Sequence, residues 1–155
     1  MTSRNAFWAY ITIITLGVLG CGGSAPTPGT WSYADFEPTS ANTCTGDLVD
    51  QTNGTFELVE NGADYVVKPG DGGGDFACTL DGAELTCTRS MSIPVSGSNA
   101  VIRGNETAVA STTSDTMEGT RSAAVTCEGS DCALASSIGL TFPCQLEIDF
   151  TAELE

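Results

Sequence analysis

The chain contains no histidine and only five basic side chains among 155 residues, and Lys68 is the single lysine. Without imidazole, Ser-His-Asp and Cys-His catalysis and His-ligated metal sites are excluded. The scarcity of positive charge, set against 20 acidic residues and a net charge of −15, excludes grip on a phosphate backbone, so nucleic acid is not an expected partner. Long apolar runs are also missing. The longest, Ala6 to Leu19, spans roughly 20 Å against a hydrocarbon core of about 30 Å, too short for a permanent span. After residue 21 no segment has a helical period.

The chain does open on the three parts of an export signal: a short n-region charged only at Arg4, the apolar run, and small residues before a cysteine. Val18-Leu19-Gly20-Cys21 resembles the bacterial lipobox. That resemblance implies a diacylglyceryl group on the Cys21 sulfur, cleavage just before Cys21, and a mature chain without residues 1–20. In Gram-negative lipoproteins an aspartate after the modified cysteine marks inner-membrane retention; Gly22 stands there, so the resemblance implies the outer membrane of the cell envelope. Residues 1–20 are thus expected as a signal peptide, 21–29 as the lipidated cysteine with a flexible Pro/Gly-rich tether, and 30–155 as one β-domain. All acidic residues follow Cys21, with four basic ones, and so strong a negative charge leaves membrane contact to the lipid anchor.

Cys21 also resolves an odd count. Seven cysteines are present; setting Cys21 aside leaves six, an even set that reads as three disulfides in an exported protein. Fifteen pairings are open to six cysteines. Gly82-Ala83 fits a two-residue turn with glycine first, which sets Leu80 opposite Leu85 and Cys78 opposite Cys87 at disulfide distance. Cys127 and Cys132 bracket a turn-rich tetrapeptide, and Cys44–Cys144 follows by elimination. A thiolate zinc site is the competing reading, but no CxxC pair occurs.

Periodicity beyond Thr30 is two. At the C-terminus Ile138, Leu140, Phe142, Cys144, Leu146, Ile148, Phe150, Ala152 and Leu154 take every even position, the mark of a strand with one buried face. Pro143 should break it, leaving a main strand from Cys144 to Leu154. Asn61-Gly62 predicts a second hairpin, with Leu58 opposite Tyr65 and Phe56 opposite Val67. Further strands are expected at Thr30–Phe36, weakly within Val101–Thr113, and near Thr116–Cys127. The total of about eight antiparallel strands in a meander makes an all-β fold, either a barrel or a two-sheet sandwich. Gly29-Thr30-Trp31 resembles the G-x-W that opens lipocalin barrels, which favours the barrel.

Chemistry-bearing candidates are few. Asp71-Gly72-Gly73-Gly74-Asp75 has two carboxylates on a flexible loop, but lacks the spacing of a calcium loop, and a loop between strands is the simpler reading. No pair among the acids is singled out for glycoside cleavage. The expectation is a non-enzymatic envelope lipoprotein without cofactor, its role structural or one of interaction with other envelope proteins. The alternatives are a barrel carrying a small apolar ligand and, more distantly, a carboxylate-dependent hydrolase.

Overall fold

In the computed structural model, residues 24–45, 54–70, 74–135 and 141–155 are described. Cys21, Asp71, Ile138 and Leu140 lie outside the described residues.

Among the described residues eight strands follow one another around a closed barrel. They are β1 (Gly29–Pro38), β2 (Thr55–Asn61), β3 (Asp64–Pro69), β4 (Phe76–Asp81), β5 (Glu84–Pro94), β6 (Val101–Thr112), β7 (Thr116–Glu128) and β8 (Cys144–Leu154). Every neighbouring pair is antiparallel, and closure comes from β1 against β8, running from Trp31 opposite Leu154 to Pro38 opposite Ile148 with a bulge at Tyr33–Asp35. The alternation of β8 explains its place: Cys144, Leu146, Ile148, Phe150 and Ala152 are buried, while Gln145, Asp149 and Glu153 face water. The strand begins directly after Pro143, which has no N–H to give a ladder.

The β4–β5 hairpin has the expected register, with Leu80 opposite Leu85 and Cys78 opposite Cys87. The β2–β3 hairpin does not. Leu58 pairs with Val67 and Glu60 with Tyr65, a shift of two residues, because Asn61 pairs with Asp64 and the turn is Gly62-Ala63. Glycine needs the first turn position: Gly62 has φ +72° and Gly82 φ +63°, and no other residue type has a positive φ among the described residues. Asn61-Gly62-Ala63-Asp64 therefore turns as Asp81-Gly82-Ala83-Glu84 does. A two-residue shift preserves parity, so Phe56, Leu58, Tyr65 and Val67 still point inward and are buried.

The strand expected within Val101–Thr113 is present and is the full 12-residue β6, paired on both sides, although Gly104, Asn105 and Glu106 interrupt its apolar pattern. A single helical turn, α1 (Cys132–Ala135), follows Cys132, where no helix was expected because four residues are too few to show a period.

Three disulfides, Cys44–Cys144, Cys78–Cys87 and Cys127–Cys132, have Cα separations of 5.0, 4.0 and 5.7 Å. Cys44–Cys144 ties the segment after β1 to the start of β8 across 100 positions of sequence.

The barrel has two unlike ends. One, the mouth, carries the short turns β2–β3, β4–β5 and β6–β7 together with the beginning of β1 and the end of β8; the other carries the longer connections and two of the disulfides.

The described part of the expected tether, residues 24–29, is not a free linker. From Ser24 the chain is docked across the mouth: Thr27 N–H donates to the Ser114 carbonyl at 3.0 Å, Trp31 Nε1 donates to the Thr27 carbonyl at 3.0 Å, and the Thr112 hydroxyl lies 3.1 Å from the Ser24 carbonyl. Pro26 is fully buried. Composition pointed to a linker, yet two prolines reduce the entropy lost on docking, and Pro26 covers apolar surface at the open end.

Candidate functional site

The interior is not uniformly apolar. Along β5 the inward positions run Leu85, Cys87, Arg89, Met91; along β6 they include Ile102, Glu106 and Ala110; along β7, Met117, Arg121, Ala123 and Val125. Cross-strand pairing places Arg89 directly opposite Glu106, and puts Arg121 opposite Ala108, one inward step from Glu106. Three charged side chains therefore meet inside the barrel. Glu106, 1% exposed, accepts from Arg89 Nε through Oε2 and from an Arg121 terminal nitrogen at 2.6 Å through Oε1. Arg89 also donates to the Gly74 carbonyl at 3.1 Å, and both guanidiniums lie over the Phe76 ring, at 4.4 and 5.7 Å.

This ionic layer divides the core. A larger apolar cluster gathers around Trp31, Phe56, Leu58, Leu85 and Met117, and a smaller one around Cys44, Met91, Ile102, Leu146 and Ile148. The aromatic part of the larger cluster is tightly arranged, with Trp31 stacked on Phe56 and Tyr33 meeting Phe36 and Phe150 edge-on. Arg121, Phe76 and Tyr33 border a cavity of about 30 Å³ beside the layer. That is room for a water molecule or two, far below the 300–1,000 Å³ typical of small-molecule pockets. Arg121 Nε is buried and has no hydrogen-bond partner among the described residues. Two guanidiniums held by one buried carboxylate make a rigid, geometry-demanding joint between three strands.

Sequence reasoning missed all three of these residues. The signal was present: Arg89 and Arg121 each occupy an inward register of an otherwise apolar alternation, and Glu106 is the acid opposite.

The other acids among the described residues are on the outside. Asp35 and Glu37 of β1, Glu118 of β7 and Asp149 of β8 line one open groove on the outer wall, and Thr120 donates to Asp149 at 2.7 Å. Asp75, proposed with Asp71 as a weak cation ligand, is an exposed residue just before β4. Among the described residues no three Cys, Asp or Glu side chains converge as a metal site. At the end opposite the mouth, Asp131 accepts the Asn99 backbone N–H at 2.8 Å and the Ser130 hydroxyl at 2.9 Å. These bonds, the backbone one foremost, hold its carboxyl below the ordinary 3.8.

The aromatic that carries the G-x-W resemblance, Trp31, is wholly buried at the mouth. Comparison with protein families, with curated proteins and with solved structures finds no match for this chain.

Proposed function

We propose that this protein is a lipid-anchored lipoprotein of the bacterial cell envelope, acylated on Cys21 and carried on the outer membrane, whose barrel serves as a structural or interaction domain and not as an enzyme. The observation that carries the choice of role is the packed interior: two apolar clusters and a salt-bridged layer fill it, and the cavity lined by Tyr33, Phe56, Phe76 and Arg121 holds about 30 Å³. A carrier of small apolar ligands needs roughly ten times that volume or more. The acids a hydrolase would recruit lie on the exposed outer wall, where solvated carboxylates have no dry site to act in. What remains for function is the outer surface and the anchor. The lipobox resemblance at Val18–Cys21 supports the anchor, and a disulfide-stapled barrel is suited to an oxidising compartment outside the cytoplasm.

The test is expression in a Gram-negative host with labelled palmitate, followed by membrane separation and a high-salt wash. The wild type should carry label and sediment with the outer membrane; Cys21→Ala should lose the label and no longer sediment with the outer membrane. Wild-type protein without label would refute the anchor. Recovery of a stoichiometric small molecule from the purified Cys21→Ala barrel by native mass spectrometry would refute the role in favour of a carrier.

A further inference from the structure

The negative charge of this protein is unevenly spread around the barrel. Between Thr86 and Ser92 on β5 and between Arg103 and Ser111 on β6, the only carboxylate is Glu106, and it points inward. The outward side chains there are serine, threonine, asparagine and valine with one base, Arg103, which is bonded to Glu128 at 2.6 Å. One of the three large apolar side chains exposed on the described surface, Val109, stands among these outward residues. Across the barrel, β8 and β1 present Asp149, Glu153, Asp35 and Glu37 to water. The mouth adds a ring of exposed acids at its turns, among them Glu60, Asp64, Asp81, Glu84 and Asp115.

The path of the chain picks out the same wall. Residues 24–28 cross the mouth from the start of β1 to the far rim, where the Thr112 hydroxyl at the end of β6 lies 3.1 Å from both the Ser24 and the Ala83 carbonyls. The described backbone thus begins at the rim above β5 and β6. Three Cα steps separate Ser24 from Cys21, a reach of at most about 11 Å. With 13 residues in β7, at about 3.4 Å per residue and a tilt of about 40°, the barrel is roughly 33 Å tall. So short a leash cannot invert the barrel; it lets the barrel stand on its mouth or lie on the wall beside the exit.

We propose that the outer wall of β5 and β6 is the membrane-apposed face, so that the barrel lies on this wall against the headgroups of the leaflet holding the acyl chains. The inference rests on the lipoprotein reading. Standing on the mouth would press a ring of carboxylates toward a surface of like charge within a Debye length. Lying on the wall directs those acids, Glu84 at the rim excepted, sideways and the β1–β8 acids outward, and seats hydroxyls and Val109 at the interface.

The experiment uses lipidated full-length protein in phosphatidylglycerol-containing vesicles doped with a nickel-chelating lipid. A spin label is placed through a genetically encoded ketone amino acid, which spares the cysteines, at position 88 or at position 153. Relaxation enhancement by headgroup nickel should be at least about threefold greater at 88 than at 153, an exposed position at the mouth end of β8 that would be the nearer of the two if the barrel stood on its mouth. Ser90→Asp with Ser111→Asp, both exposed positions, should bring the ratio toward one. Intact mass taken on the same sample separates the failures. Absence of acyl groups overturns the lipoprotein reading and this proposal with it; acylated protein with equal enhancement, or more at 153, overturns the wall alone. Dipolar broadening between labels at 88 in detergent without nickel would show a second copy covering the wall, and would also overturn it.

Discussion

Replacing Glu106 by alanine tests the interior layer most severely. Glu106 is 1% exposed and is the acceptor for both Arg89 and Arg121. Its removal leaves two guanidiniums facing each other with no counter-ion from β6, and removing one partner of a buried ion pair costs about 3–5 kcal/mol. For a domain of this size each kcal/mol is worth roughly 3–5 °C in Tm, so a fall of about 10–20 °C is expected. Urea unfolding and thermal melts with the disulfides intact measure it. The physical reasoning makes a second demand. Arg89→Met, Glu106→Leu and Arg121→Met together remove every charge of the layer, and this triple variant should recover most of the loss or exceed the wild type, since a packed apolar replacement avoids the desolvation that ionic groups incur. A loss below about 1 kcal/mol for Glu106→Ala would show that the layer is solvated and does not join the strands as described.

Other consequences are open to measurement. Gly129→Ala should destabilise by about 1–3 kcal/mol in urea unfolding, because Gly129 has φ +115° and an added Cβ would stand 1.7 Å from the Asn99 carbonyl oxygen; an unchanged midpoint would refute that close approach. Cys44→Ser with Cys144→Ser opens a loop of 100 positions, for which chain entropy predicts a loss near 4.7 kcal/mol; a loss under about 1 kcal/mol would mean that the bridge is dispensable. Asp131 has its folded pKa below the ordinary 3.8, so its bonds add stability above that pH and the gain is lost as pH falls through the folded value. The gap between wild type and Asp131→Ala should therefore be widest above pH 3.8 and shrink below it, and a gap constant over the acid range would contradict the assignment.

The parts of this fold legible in the sequence are those set by local rules. Alternation along residues 144–154 shows which face is buried, and glycine in first turn position aligns Cys78 with Cys87. The β2–β3 register was misread because Asn61-Gly62 and Gly62-Ala63 are both chemically reasonable turns, and both leave the same residues inside. Two features needed three dimensions. Glu106, Arg89 and Arg121 belong to different strands, and only the pairing of β5, β6 and β7 brings their charges together. Ser24 to Pro28 has linker composition, and nothing local to it announces that Pro26 is buried in a barrel mouth formed by residues as distant as Thr112 and Ser114.

The central claim, a stapled barrel held to the envelope by lipid at Cys21, is tested most directly by intact mass and free-thiol titration of the denatured protein extracted from a Gram-negative host. The account predicts a chain lacking residues 1–20, a mass gain matching two or three acyl chains, loss of that gain in Cys21→Ala, and no free thiol. An unlipidated chain would contradict the anchor, and six free thiols would contradict the staples.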